Sequence, residues 1–162
     1  MMQVRHRGGG TIVASFAVAL MLDIMPLPHW AALVRPEWAA LVLIYWCMAL
    51  PDRVGVGVGW TVGLLLDVME GTLLGQYALG FAIIAFLTLK LHRRVRVFPL
   101  WQQALTIFLL IVLEQLLVLW IKGITGQSPN LWLYLLPSVS STVIWPWVFV
   151  TLRNTRRRFQ VT

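Results

Sequence analysis

The chain has 162 residues, of which 59% are hydrophobic and 12% charged, and its mean hydropathy is +0.80. A soluble domain contains roughly 45–50% apolar and about 25% charged residues, and a disordered chain combines low hydrophobicity with high charge. The composition therefore excludes a disordered chain and nearly excludes a soluble one, whereas the meaning of the formal net charge of +7 depends on where the cations lie.

Six apolar runs follow one another, and each approaches the roughly 20 residues that a helix needs to cross a bilayer. We interpret the first as a retained helix rather than a signal peptide, because few apolar residues precede its Ala17-Val18-Ala19 triplet. Pro36 and Glu37 are helix-start signals for the second run, and Pro51 ends it. The predicted spans cover about residues 11–27, 32–50, 54–69, 73–91, 100–121 and 131–152.

In the strands of a membrane barrel, apolar residues alternate with polar ones, and these apolar runs show no such alternation. Leu41–Ile44 and Phe108–Leu113 are continuously apolar, for example. Helices are therefore predicted throughout, and Pro137 and Pro146 are expected to kink the last one. The predicted fold class is all-α, a polytopic integral membrane protein in which residues 1–162 form a single transmembrane domain of six helices.

The third run is rich in glycine. Gly55, Gly59 and Gly63 recur every four residues and so share one helix face, which favours close packing against another helix. The string from Gly55 to Gly59 also contains Gly57, but no strand precedes it, so a phosphate-binding loop is not expected.

The cations are distributed unequally between the two sides of the predicted membrane. With the N-terminus inside, eleven of the 13 Lys and Arg residues lie on the inner side, and only Arg35 and Lys122 lie outside. The positive-inside rule then places both termini in the cytoplasm. The inner cations are expected to face anionic lipid or a cytoplasmic protein, and nucleic acid is not an expected partner. The main inner basic positions are Arg93, Arg94, Arg96, Arg156, Arg157 and Arg158.

Ionisable residues inside a span are candidates for function, and there are three: Asp23, Asp67 and Glu114. At about 1.5 Å per residue, all three lie roughly 18–21 Å from the cytoplasmic side. Ser138 in the last span reaches the same depth. The prediction is a polar layer that opens outward, formed by Asp23, Asp67, Glu114, Gln115, Ser138, Ser141 and Thr142.

Three interpretations of this layer stay open. The carboxyl groups are protonated or cap neighbouring helices and hold the bundle together, or the layer is a shallow pocket for a small molecule or lipid headgroup, or it docks a partner's helix that supplies a donor. An enzyme is not expected, because no His lies in a span and no Ser stands beside a base. The lone Cys47 and three distant histidines predict neither a disulfide nor a metal site, and no cofactor is predicted.

Several motifs occur in a fixed order along the chain. They are Arg35-Pro36-x-Trp38, Tyr45-Trp46-x-x-Ala49-Leu50-Pro51-x-Arg53-Val54, Gly57-x-Gly59-x-x-x-Gly63-x-x-x-Asp67-x-x-x-Gly71-x-x-Leu74-Gly75, Leu100-Trp101-Gln102-Gln103-Ala104 and Trp145-Pro146-Trp147. Together they resemble the rod-shape-determining MreD family over nearly the whole chain. By this resemblance, Gly71 and Gly75 join the helix-packing glycines, and Arg35, Pro36 and Trp38 form an outer entrance.

The resemblance implies a non-enzymatic scaffold of the bacterial inner membrane that serves cell elongation and peptidoglycan synthesis. The implied partners are an MreC-like bitopic protein and, through the complex, the MreB filament, RodA and penicillin-binding protein 2. The family's six-helix bundle is similar to the S components of vitamin transporters. That similarity implies an alternative function, the binding or transport of a small molecule or lipid headgroup.

Overall fold

The computed structural model describes residues 9–32, 34–51, 54–71, 74–124, 126 and 131–158. These residues form α-helices and no strand, which confirms the all-α class. The helices are α1 (Gly9–Ile24), α2 (His29–Ala32), α3 (Trp38–Ala49), α4 (Val56–Glu70), α5 (Gln76–Arg96), α6 (Leu100–Ile124) and α7 (Leu131–Arg158).

Each predicted span overlaps one of the six longer helices, and α2 is a single turn between the first two of them. Among the described residues, α6 and the Leu135–Arg158 part of α7 are long and apolar enough to cross a membrane, whereas α1 and α3 are shorter apolar helices. A six-span bundle like that of the S components stays a prediction. Pro137 and Pro146 both lie inside α7.

Several helix ends differ from the predicted limits. Helix α3 begins at Trp38, although the predicted span begins near residue 32, and α5 to α7 run several residues past their apolar segments. The extensions contain Arg and Lys, which hydropathy counts against a span but which favour helix as strongly as most apolar residues. The apolar runs therefore locate the helices, but they underestimate the length of α5, α6 and α7 and overestimate that of α3.

Helix α3 is the centre of the bundle. Every residue from Ala39 to Met48 is buried, and α1, α5, α6 and α7 all pack against it. The outer faces of the surrounding helices expose large apolar side chains, such as Leu109 at 60% and Val143 at 74%. Such an extensive apolar exterior is unusual in a soluble monomer and suits contact with lipid chains.

Helices α4 and α5 pack with their backbones close together, and two glycines permit it. A Cβ atom at Gly63 would lie 2.4 Å from the Cα atom of Ala78, and one at Gly59 would lie 2.8 Å from the carbonyl oxygen of Phe81. Gly55, on the same face, would meet only the side chain of Leu89 at an ordinary 3.4 Å. The tight contact is therefore made at Gly59 and Gly63.

Gly71 and Gly75 have a different role from the packing that was expected of them. Their φ angles are +68° and +99°, and a Cβ atom on either would meet nothing within 4 Å. Gly71 ends α4 and Gly75 precedes the first residue of α5, both in the left-handed region that favours glycine. These two glycines shape the turn between the helices.

Candidate functional site

Asp23, near the end of α1, is joined to the start of α3 by reciprocal hydrogen bonds. Its Oδ1 accepts from the N–H of Trp38 and its Oδ2 from the N–H of Ala39, each at 3.0 Å. In return, the Arg35 guanidinium donates to the carbonyl oxygens of Asp23 and Met25 at the end of α1. The carbonyl groups at the end of α1 thus receive donors from Arg35, and the N–H groups at the start of α3 find an acceptor in Asp23. Of the predicted outer entrance, Arg35 and Trp38 take part in this junction, and the partly buried Pro36 lies between them.

Asp67 of α4 makes a similar cap on α5. Its Oδ1 accepts from the N–H of Tyr77 at 2.9 Å, and its Oδ2 accepts from the N–H groups of Gly75 at 3.0 Å and Ala78 at 3.4 Å. The Asp67 side chain is fully buried. Two of the three predicted intramembrane acids therefore cap neighbouring helices, in agreement with the first interpretation of the polar layer.

Glu114 lies in a different environment. Its carboxyl group, 1% exposed in the middle of α6, faces the carboxyl group of Glu37, the residue before α3. Gln115 donates from Nε2 to Glu37 Oε1 at 3.1 Å, and the Glu37 N–H donates to Ser141 Oγ of α7 at 3.0 Å. Gly80 of α5 provides the space, since a Cβ atom there would lie 3.0 Å from Glu114 Cγ. We call Glu37, Glu114, Gln115 and Ser141 the carboxyl cluster.

The carboxyl cluster has more acceptors than donors. Four buried oxygens accept no hydrogen bond from the residues that the structure describes: Glu37 Oε2, Glu114 Oε1, Glu114 Oε2 and Gln115 Oε1. Two ionised carboxylates only accept hydrogen bonds, so their proximity calls for a proton or a donor group between them. No group of three or more His, Cys, Asp or Glu residues within the described ranges could hold a metal ion.

The structure divides the predicted polar layer into parts. Asp23 and Asp67 belong to two separate caps, and the carboxyl cluster contains Glu114, Gln115 and Ser141. Ser138 and Thr142 bond within their own helix, since Ser138 Oγ donates to the carbonyl oxygen of Leu135 and Thr142 Oγ1 donates to that of Ser138 at 2.8 Å.

Sequence reasoning missed two residues of this region. The sequence marks Glu37 only as a helix-start signal, although an acid just before an apolar run can also turn its side chain into the bundle. Gly80 lies outside the four-residue glycine pattern, and nothing in the sequence marks it as the space beside Glu114.

An apolar groove of about 460 Å³ runs between α1 and α7, and Trp38 and Val42 of α3 also line it. Both outer helices pack on α3, which leaves the space between them open to the outside. Trp38 meets Trp147 of α7 edge to face, with 6.3 Å between ring centroids. The α1 side presents a single face of mostly small residues: Gly10, Thr11, Ala14, Ser15, Val18, Ala19 and Leu22. We call this space the α1–α7 groove.

A smaller cavity of about 160 Å³ lies at the other end of α3. Arg153 and the partly buried Arg156 of α7 line it. The other predicted basic positions, Arg93, Arg94, Arg157 and Arg158, are exposed, and the Arg96 side chain is outside the described part. The full lining is Tyr45, Met48, Ala49, Gln103, Phe149, Arg153 and Arg156, which we call the basic cavity.

Comparison with known proteins supports the family resemblance that the ordered motifs indicate. Residues 5–155 match the sequence model of a family described as rod shape-determining protein MreD. The chain is also 30% identical, over 151 residues, to the rod shape-determining protein MreD of Haemophilus influenzae, and the alignment covers 93% of each chain. No solved structure matches the chain.

Proposed function

The chain belongs to the MreD family of rod shape-determining proteins, and from that premise we propose that it is a non-enzymatic scaffold that binds an MreC-like single-pass membrane protein. Through this partner it joins the MreB filament, RodA and penicillin-binding protein 2 in the machinery that builds peptidoglycan during elongation. The observation that carries the proposal is the α1–α7 groove.

The groove has the chemistry of a surface that receives a helix. Between helices in a bilayer, association depends on close van der Waals packing, and small residues permit it. Ala14 and Val18 are exposed in the groove and leave space for a partner's side chains. The hydroxyl groups of Ser15 and Thr155 already donate to their own helices. The groove therefore favours an apolar helix over one that brings polar side chains.

The proposed orientation follows the distribution of cations. The protein lies in the inner membrane with both termini in the cytoplasm. The exposed arginines at the ends of α5 and α7 attract anionic lipid diffusely, without holding a single lipid, or contact the MreB filament. The partner's span then lies beside α1 and α7, and its soluble part lies on the outer side.

Ala14→Trp is expected to reduce the amount of MreC-like protein that co-purifies with the chain at least tenfold, because the indole fills the groove. The same variant is expected to make rod-shaped cells round. Ala17→Trp is the matched control, since Ala17 is an exposed residue of the same helix that does not line the groove. The measurement is recovery of the MreC-like protein with the tagged chain at equal expression. If both variants lost the partner equally, or if neither variant lost it, the groove would not be the partner's binding site.

The carboxyl cluster supports a second candidate function, S-component-like binding of a small molecule or lipid headgroup. The cluster has four buried oxygens that accept no hydrogen bond from the described residues, and such oxygens suit a ligand that brings hydrogen-bond donors. Native mass spectrometry of the purified chain discriminates between the two functions. A stoichiometric bound molecule that the wild-type chain retains and a Glu114→Gln variant loses supports the second function, and identical bound masses in the two proteins support the scaffold.

A further inference from the structure

The basic cavity is built where three helix ends meet. The end of α3 contributes Tyr45, the first turn of α6 contributes Gln103, and the last part of α7 contributes Arg153 and Arg156. Gln103 is 3% exposed and donates from Nε2 to the carbonyl oxygen of Val95 at 3.0 Å, which ties the end of α5 to this site. The cavity is thus held by contacts among four helices.

Both charged side chains that line the basic cavity, among the residues that the structure describes, are positive. Arg153 and Arg156 are three residues apart and so lie on the same side of α7, and both act electrostatically on Tyr45. The positive end of the α6 helix dipole adds to their field. Every acidic residue that the structure describes belongs to the opposite end of the bundle or to the interior near it: Asp23, Glu37, Asp67, Glu70 and Glu114.

We propose that the basic cavity binds the phosphate group of an anionic lipid headgroup. Guanidinium groups present several donors in a fixed plane and bind phosphate oxygens in pairs, and the tyrosine hydroxyl is a further donor. A cavity of about 160 Å³ holds a phosphate group but not a large ligand.

A lipid is favoured over a soluble phosphate compound because apolar surface adjoins the cavity. Phe149 lines it, and Val150 on the same helix is 46% exposed. Acyl chains attached to the bound headgroup can lie along this surface of α7. The site is at the end of α3 away from the carboxyl cluster and apart from the α1–α7 groove, so the inference does not rest on the proposed partner.

The test compares two double variants with the same change in charge. Arg153→Gln with Arg156→Gln removes the cations of the cavity, and Arg93→Gln with Arg94→Gln removes two exposed cations of α5. Binding of phosphatidylglycerol and of phosphatidylcholine to the purified full chain is measured by native mass spectrometry, and folding is monitored by thermal unfolding.

The wild-type chain is expected to retain one phosphatidylglycerol in preference to phosphatidylcholine. The cavity variant is expected to lose at least tenfold in affinity with an unchanged unfolding temperature, while the α5 variant stays within twofold of wild type. Equal losses in both variants would mean diffuse surface attraction and overturn the proposal, as would equal binding of the two lipids. Displacement of the lipid by millimolar inorganic phosphate would assign the cavity to a soluble phosphate compound instead.

Discussion

Gly63→Ala is expected to lower the free energy of unfolding by about 3 kcal/mol, the upper part of the usual range for overpacking. The added Cβ atom would lie 2.4 Å from Ala78 Cα, 2.6 Å from its backbone nitrogen and 2.6 Å from the carbonyl oxygen of Tyr77. All three atoms are backbone, so no flexible side chain can move aside. Helices α4 and α5 must separate, which also weakens the cap that Asp67 makes on α5.

Gly57→Ala is the matched control for this change. Gly57 lies on the same helix, is exposed, and a Cβ atom there would meet nothing within 4 Å. Alanine favours helix over glycine by up to about 1 kcal/mol, so the control is expected to be neutral or slightly stabilising. Unfolding of the purified chain in mild detergent by titrated SDS measures both variants. A Gly63→Ala protein as stable as the Gly57→Ala protein would contradict the observed contact between the two backbones.

Asp67→Ala is expected to lower the free energy of unfolding by about 3 kcal/mol, as Gly63→Ala does. The substitution leaves three N–H groups at the start of α5 without their acceptor. The loss of a helix cap costs about 0.5–2 kcal/mol, and each buried donor left unsatisfied costs about 1–3 kcal/mol unless water reaches it. Hydrogen exchange should report the same change locally, with faster exchange at Tyr77 and Ala78 than at residues in the middle of α5.

Glu70→Ala provides the comparison for Asp67. Glu70 is the last residue of α4, is exposed, and bonds to the side chain of Tyr77 rather than to the backbone N–H groups that Asp67 caps, so its removal is expected to change stability by less than about 1 kcal/mol. If the Glu70 and Asp67 variants unfolded at the same SDS concentration and exchanged alike at Ala78, the cap would not be the stabilising role of Asp67.

Hydropathy alone predicted where the helices occur, because apolar runs mark the segments that leave water. It did not predict what Asp67 contacts, since that depends on the turn at Gly71 and Gly75, which aims the start of α5 back at α4. Gly63 was predicted as a packing residue from its four-residue spacing, and the structure places it against α5. In contrast, the family resemblance that adds Gly75 to the packing glycines does not distinguish a packing glycine from a turn glycine.

The relations between distant segments were beyond the sequence argument. Glu37 and Glu114 are 77 positions apart, and only the packing of α3 against α6 brings their carboxyl groups together. The α1–α7 groove likewise depends on two helices that each pack on α3 and leave space between them. One sequence shows which face of α1 carries small residues, but it does not show that the groove lies beside α7.

Site-specific photo-crosslinking from α1 in living cells tests the scaffold account most directly. A photo-reactive phenylalanine is placed at Val18, which lines the α1–α7 groove, and at Val13, which does not line it, and the two side chains are comparably exposed at 56% and 68%. The account predicts a crosslink to the MreC-like single-pass protein from Val18 and none from Val13. A partner crosslink from Val13 alone, or no partner crosslink from Val18 in cells that keep their rod shape, would contradict it.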